Sequence, residues 1–183
     1  MSHFTDPRQT AAKTHRVLFA LRWLLGVCAL SVFMATSMPA RAVDGCLVLL
    51  CFAAPSWSAI PQCVPPIRQV LRDLALGRSF PTCAMSGAGN LASHRWASAR
   101  GYCPPQYVRV ITFWDRPTYR CDYTGAVAVN INGALWTRTW WNMAGNTVTE
   151  YTPAAKVQLG TWDTRFDDDH ATWLASRRPS SSR

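Results

Sequence analysis

Gly125–Trp141 reads GAVAVNINGALWTRTWW, two runs of strand-forming residues on either side of Asn132-Gly133. An Asn-Gly pair adopts the two left-handed backbone conformations of a type I′ turn at little cost, so the stretch predicts a β-hairpin. Strict alternation places Val127, Val129, Ile131, Ala134, Trp136 and Trp140 on one face. That face is expected to be core. Trp141 then projects from the opposite face and is nominated for a partner surface, where aromatic residues are enriched.

Working outward toward the C-terminus, TVTEYT (147–152) predicts a third antiparallel strand. Thr152 and Pro153 are suited to start a short helix that stops near Gly160. Asp167, Asp168 and Asp169 open a last helix and Arg177 and Arg178 close it, charges that complement the helix dipole. Residues 177–183 are expected to be a disordered tail. On the other side of the hairpin, YVRVITFW (107–114) predicts a further strand.

The first half of the chain has helical periodicity. Asp44 can cap a helix through GCLVLLCFAA, and PSWSAIPQ (55–62) is a loop. PIRQVLRDLAL then sets Ile67, Val70, Leu71 and Leu74 at i, i+3, i+4 and i+7, with Pro66 near its start and Gly77 at its end. Asn90 can cap a third helix through LASHRWASAR, closed by Gly101 and Pro104. The fold class expected is therefore α+β: N-terminal disulfide-stapled helices packed on a small C-terminal antiparallel β-meander with a short terminal helix.

Residues 1–42 read as a secretory signal peptide. Arg8, Lys13, Arg16 and Arg22 stand against Asp6 alone, the apolar run WLLGVCALSVFM follows, and Ala40 and Ala42 fit an A-x-A cleavage site. Cleavage after Ala42 leaves residues 43–176 as one mature domain. The alternatives are an uncleaved inner-membrane anchor over 17–38 and a lipid anchor at Cys28, whose preceding residues fit an attachment box poorly. The whole chain has 183 residues and a formal charge of +9. After cleavage the excess is modest and scattered, not the dense basic stripe of a duplex-DNA binder.

An exported chain with six remaining cysteines, Cys46, Cys51, Cys63, Cys83, Cys103 and Cys121, reads as a disulfide framework. Structural zinc sites take two close ligand pairs and thiol-exchange catalysts a C-x-x-C; neither pattern occurs. Cys46 and Cys51, five apart on one helix, are separated by about 7.5 Å along the axis, beyond the reach of a bridge. Fifteen pairings are possible and spacing does not choose among them. The pairing adopted as an expectation is Cys51 with Cys63, Cys46 with Cys103, and Cys83 with Cys121.

Candidate chemistry is sparse. Glu150, the only glutamate, could serve as the general acid of a cell-wall hydrolase if an apolar pocket raised its pKa, but a polar residue in an alternating strand is ordinary. His94 and His170 lack a G-x-S-x-G partner motif. Asp167, Asp168, Asp169 and His170 could hold a hard cation, although acids at a helix start are favoured by the dipole alone. Eight tryptophans follow residue 42, a possible glycan platform or simply core. YVRVITFWDRPTYR interleaves Arg109, Arg116 and Arg120 with aromatics, as single-strand binders do, and these arginines join Trp141 as the expected partner surface.

CLVLLCFAA, QCVPPI and SHRWASARGYCPP together resemble the TrbM/KikA family of conjugal-transfer proteins, clearly over residues 44–105 and more loosely over 132–174. The matching positions are Cys46, Cys51, Cys63 with Pro65 and Pro66, and Cys103 with Pro104. The family pattern has no counterpart of Cys83 and Cys121. The resemblance implies an exported, periplasmic, non-enzymatic accessory of a conjugative transfer or type IV secretion system, acting in mating-pair or pilus assembly. It implies protein partners within that apparatus and no catalytic residue, cofactor or metal. Stable nucleic-acid binding is not expected, and membrane contact is expected only through the leader before cleavage. The competing expectation is a peptidoglycan-directed binding protein or weak hydrolase.

Overall fold

The computed structural model describes residues 43–178. The leader, its cleavage site, Cys28 and most of the expected tail lie outside the described residues. Helix α1 (Gly45–Ala53) begins where expected, because the Asp44 carboxylate accepts from the Cys46 and Leu47 amides at 2.8 and 3.3 Å, satisfying donors a helix start leaves open. One turn of 3-10 helix (Trp57–Ala59) follows, and then helix α2 (Val64–Ala75), which buries Ile67, Val70, Leu71 and Leu74.

Four strands form one antiparallel sheet in the order β1 (Leu91–Trp96), β4 (Gly125–Ile131), β5 (Ala134–Trp141), β6 (Thr147–Tyr151). Among the described residues, strands β2 (Val108–Phe113) and β3 (Arg116–Cys121) pair only with each other. Helix α3 (Pro153–Leu159) is capped by Thr152, and helix α4 (Arg165–Ser176) follows Thr164, slightly before the three aspartates. The architecture is α+β, with helices before a meander and two further helices after it.

The expected third helix is instead strand β1, hydrogen-bonded to β4 from Leu91↔Asn130 to Trp96↔Gly125. Leu, Ala and Arg are good helix formers, but intrinsic propensity is a weak preference of tenths of a kcal/mol per residue, and pairing at a sheet edge overrides it. Asn90 caps no helix. Its side chain accepts from the Asn132 amide at 2.9 Å, while Gly89 O accepts from Gly133, so the segment before β1 holds the β4–β5 turn. Asn132 and Gly133 have φ of 52° and 81°, the turn conformation their sequence predicts.

The expected face assignment fails at one place. Val129 pairs with Thr137 but Asn130 pairs with Leu135, so Trp136 is an extra residue in β5, a β-bulge that reverses the alternation beyond it. Trp136 and Thr137 therefore both turn toward α1. There Trp136 Nε1 donates to Ala53 O at 3.0 Å and Thr137 Oγ1 to Phe52 O at 2.8 Å, while the Tyr151 hydroxyl donates to the carbonyls of Ala54 and Pro55. The carbonyls that a helix end leaves unpaired are taken up by the sheet.

Past the bulge, Thr139 and Trp141 join Val127 and Val129 against α1 and α2, in the core built on Val48, Phe52, Ile67 and Val70. Trp140 packs on the opposite face with Tyr107, Ala126 and Val148 under Tyr102, Tyr123 and Phe166. The sheet is thus covered on both sides, and Ala134 is exposed.

All six cysteines of the described residues are bridged. Cys51 pairs with Cys63 as expected, joining the end of α1 to the start of α2. The other two expected pairs are incorrect: Cys46 bonds Cys83 and Cys103 bonds Cys121. The segment before β1 folds back over the first turn of α1, where a Cβ on Gly45 would lie 2.2 Å from Thr82 O, and so brings Cys83 to Cys46. The Cys46–Cys83 bridge encloses the Cys51–Cys63 bridge in sequence.

Candidate functional site

Strands β2 and β3 form a two-stranded ribbon standing apart from the main sheet. Phe113↔Arg116 is the last pair before a two-residue turn at Trp114-Asp115. Both turn residues have left-handed backbones, φ 49° and 55°, a conformation costing L-residues on the order of 1–2 kcal/mol each. A bulky aromatic there is unusual, and no core contact repays it: Trp114 is 83 % exposed and Phe113 66 %. Val110, Ile111 and Tyr119 are exposed as well.

The base of the ribbon is fixed. Cys103–Cys121 ties its last residue to the segment that leads into β2. Tyr107, buried at the foot of β2, donates its hydroxyl to Asp169 of α4 at 2.7 Å and packs edge-on against Tyr123. Burial and the Asp169 carboxylate push the Tyr107 phenol well above the ordinary tyrosine range, so it stays a neutral donor.

By register, Arg109, Ile111, Phe113, Arg116, Thr118 and Arg120 share one face of the ribbon, and Val108, Val110, Thr112, Pro117, Tyr119 and Cys121 the other. The three arginines nominated from sequence are therefore brought together. Arg109 pairs with Asp122; Arg116 and Arg120 form no ion pair among the described residues. On the second face the Arg100 guanidinium lies 5.0 Å from the Tyr119 ring centroid. Trp141 does not belong to this surface. It is fully buried, because the bulge sets it on the α1–α2 side of a sheet that is covered on both faces.

Sequence reading missed the apolar tip. The signal for it was weak, since Trp-Asp lacks the Asn-Gly preference of a type I′ turn and Pro117 argues against a strand. Pro117 is tolerated because among the described residues the ribbon has no third strand and its position is an edge.

Glu150 stands elsewhere, on the face of the sheet under α4. Its Oε2 accepts from Arg138 Nη1 at 3.0 Å across β5 and β6, in a cleft of about 420 Å³ with Tyr102, Gln106, Trp140, Phe166 and His170. The Arg138 guanidinium also lies over the Tyr102 ring, 5.1 Å from its centroid. Among the described residues Glu150 is the one carboxylate lining the cleft, whereas glycosidase chemistry usually takes two.

Asp167, Asp168, Asp169 and His170 point apart. Asp167 accepts from Lys156 and Trp162, Asp168 from Thr164, and Asp169 from Tyr107, while His170 Nδ1 meets Gln106 Oε1 at 3.3 Å. His94 is packed between Trp96 and Trp141 on the α1 side of the sheet, far from His170 in the fold. No helix among the described residues is long and apolar enough to cross a membrane. Compared with protein-family models, curated proteins and solved structures, the chain matches none.

Proposed function

We propose that the chain is an exported accessory of a conjugative transfer or type IV secretion apparatus, working in the periplasm without catalysis, and that its ribbon docks protein components during mating-pair or pilus assembly. The observation that carries this reading is the ribbon: an apolar tip and three arginines on one face, held away from the core and anchored by a disulfide. Exposed apolar groups ringed by charge are the ordinary make-up of an interaction surface, and the unpaired Arg116 and Arg120 suit an acidic partner. Three bridges are compatible with an oxidising compartment, and the motif resemblance supplies the system.

Deleting the gene is expected to lower mating frequency and sensitivity to pilus-specific phage. A Phe113→Ala/Trp114→Ala double variant, folded and oxidised, is expected to fail to restore them. Undiminished mating in the deletion strain overturns the reading.

The cell-wall reading has one observation in its favour, the placement of Glu150 in a cleft with aromatic walls. Binding or clearing of purified peptidoglycan, lost in Glu150→Gln, would support it against the first.

A further inference from the structure

The two edges of the ribbon differ in a way that names how a partner docks. In a hairpin closed by a two-residue turn, Phe113↔Arg116, Ile111↔Thr118 and Arg109↔Arg120 exchange the backbone hydrogen bonds. The same ladder continues at the base, where Tyr107 O accepts from the Asp122 amide at 2.9 Å. The amides and carbonyls of Val108, Val110 and Thr112 therefore point away from β3, toward a side where no strand lies among the described residues.

The outer edge of β3 carries Pro117, which has no N–H to offer, and Tyr119, whose ring has the Arg100 guanidinium 5.0 Å from its centroid. Proline and flanking charges are the usual means of blunting an edge. Strand β2 has no proline, and all but its first residue are exposed. Both strands are exposed, and the β3 edge is the one blunted by a proline.

We infer that the β2 edge receives an extended, acidic segment of a partner protein as an added strand; this rests on the docking role proposed for the ribbon. Strand addition draws affinity from main-chain hydrogen bonds and specificity from alternate side chains. On an added strand, side chains turned to the basic face would lie beside Arg109, Ile111 and Phe113. Arg116 and Arg120 stand one strand further away, about 10 Å at the ~4.8 Å strand spacing, roughly one Debye length at 0.1 M salt, so their pull is partly screened and strengthens as salt is lowered.

A second copy is the poorer occupant. Pairing two β2 edges antiparallel about Val110 would set both sets of three arginines on one face of a four-stranded sheet, and like charges on one face oppose pairing.

The test uses the oxidised protein as recovered from the producing cell, with a short synthetic peptide of alternating valine and glutamate as probe and its valine–lysine counterpart as control. The glutamate peptide is expected to bind and to slow amide hydrogen exchange at Val110 and Thr112. Val110→Pro removes an outward N–H and leaves the β2–β3 ladder intact, so it should weaken binding about tenfold or more. Arg120→Glu, on the exposed face of the ribbon, should weaken binding a few-fold, more at low salt, and keeps the test decisive if the proline variant fails to fold.

Equal binding to wild type and both variants overturns strand addition. So does competition of the peptide by anionic vesicles or single-stranded oligonucleotide with the proline variant unaffected, or dimerisation in sedimentation that Val110→Pro abolishes. None of these bears on mating. An undiminished mating frequency would remove the assembly role while leaving a positive peptide result in place.

Discussion

His94 shows how one side chain can set a pH limit. Its ring lies edge-on to Trp96 at 4.9 Å and beside Trp141, and its Nε2 finds no hydrogen-bond partner among the described residues. Burial pushes the imidazole below its ordinary 6.5. The unfolded chain then binds a proton that the folded chain refuses, so stability is full above 6.5 and is lost as the pH falls through the lower folded value. Thermal unfolding between pH 7 and about 5 is expected to show a falling midpoint, and His94→Phe, which keeps the aromatic contacts, should flatten it. Asp163 is held below its ordinary 3.8 chiefly by the hydrogen bond from the Arg165 side chain. Its contribution is present above that value and lost only in stronger acid, so the two groups act in separate windows.

Gly125 sits under the same ring. A Cβ there would lie 2.6 Å from His94 Nε2 and 2.9 Å from Trp141 Nε1. Gly125→Ala is expected to cost about 1–3 kcal/mol, the usual range for overpacking a core, measurable by denaturant unfolding. At this scale the cap at Asp44, the turn at Asn132-Gly133 and the apolar set of α2 were readable from sequence, since each depends on neighbours within one turn. The burial of Gly125 and His94 was not, because both owe it to β1 lying against β4.

Among elements, the bulge in β5 decides which tryptophan faces which way. Trp136 and Thr137 are both drawn to the carbonyl end of α1, and the alternation that sequence supplies resumes one residue out of phase. A hairpin pattern carries no mark of a bulge whose cause is a helix more than eighty residues away in the chain. Trp141→Ala is therefore expected to destabilise by about 3–5 kcal/mol, the cost of emptying a core aromatic site. Trp114→Ala, at the ribbon tip, should stay within about 0.5 kcal/mol while impairing docking. Equal losses in chemical unfolding would contradict the assignment.

The ribbon tests a second point of the same kind. An isolated two-stranded hairpin is marginal in water, and here the Cys103–Cys121 bridge closes its foot. Cys103→Ser/Cys121→Ser is expected to raise amide exchange from Val108 to Cys121 with a small effect on global unfolding. Cys51→Ala/Cys63→Ala, which frees α1 from α2 within the core, should lose about 2–4 kcal/mol. Arg109, Arg116 and Arg120 were found from sequence because alternation holds within the ribbon. Phe113 and Trp114 were not, because YVRVITFW read alone implies a strand of the main sheet.

Across the whole molecule, an apolar helix pair covers one side of the sheet and α4 with the segment after β1 covers the other. The class of architecture was evident from the order of periodicities along the chain. Its three-layer form was not, since it depends on LASHRWASAR pairing as a strand and on the bulge sending Trp140 to the far side. Docking, if it proceeds through the ribbon, leaves both cores untouched.

The enclosure of one bridge within another carries a consequence for biogenesis. Thiols emerging in order and oxidised as they appear would join Cys46 to Cys51 before α1 forms, and that linkage must be broken by exchange to reach the native pattern. Cys103 and Cys121 are consecutive and need no such correction. A host lacking disulfide isomerase is therefore expected to accumulate chains mispaired among Cys46, Cys51, Cys63 and Cys83 but correctly joined at the ribbon foot, a distribution that peptide mapping of non-reduced digests would resolve.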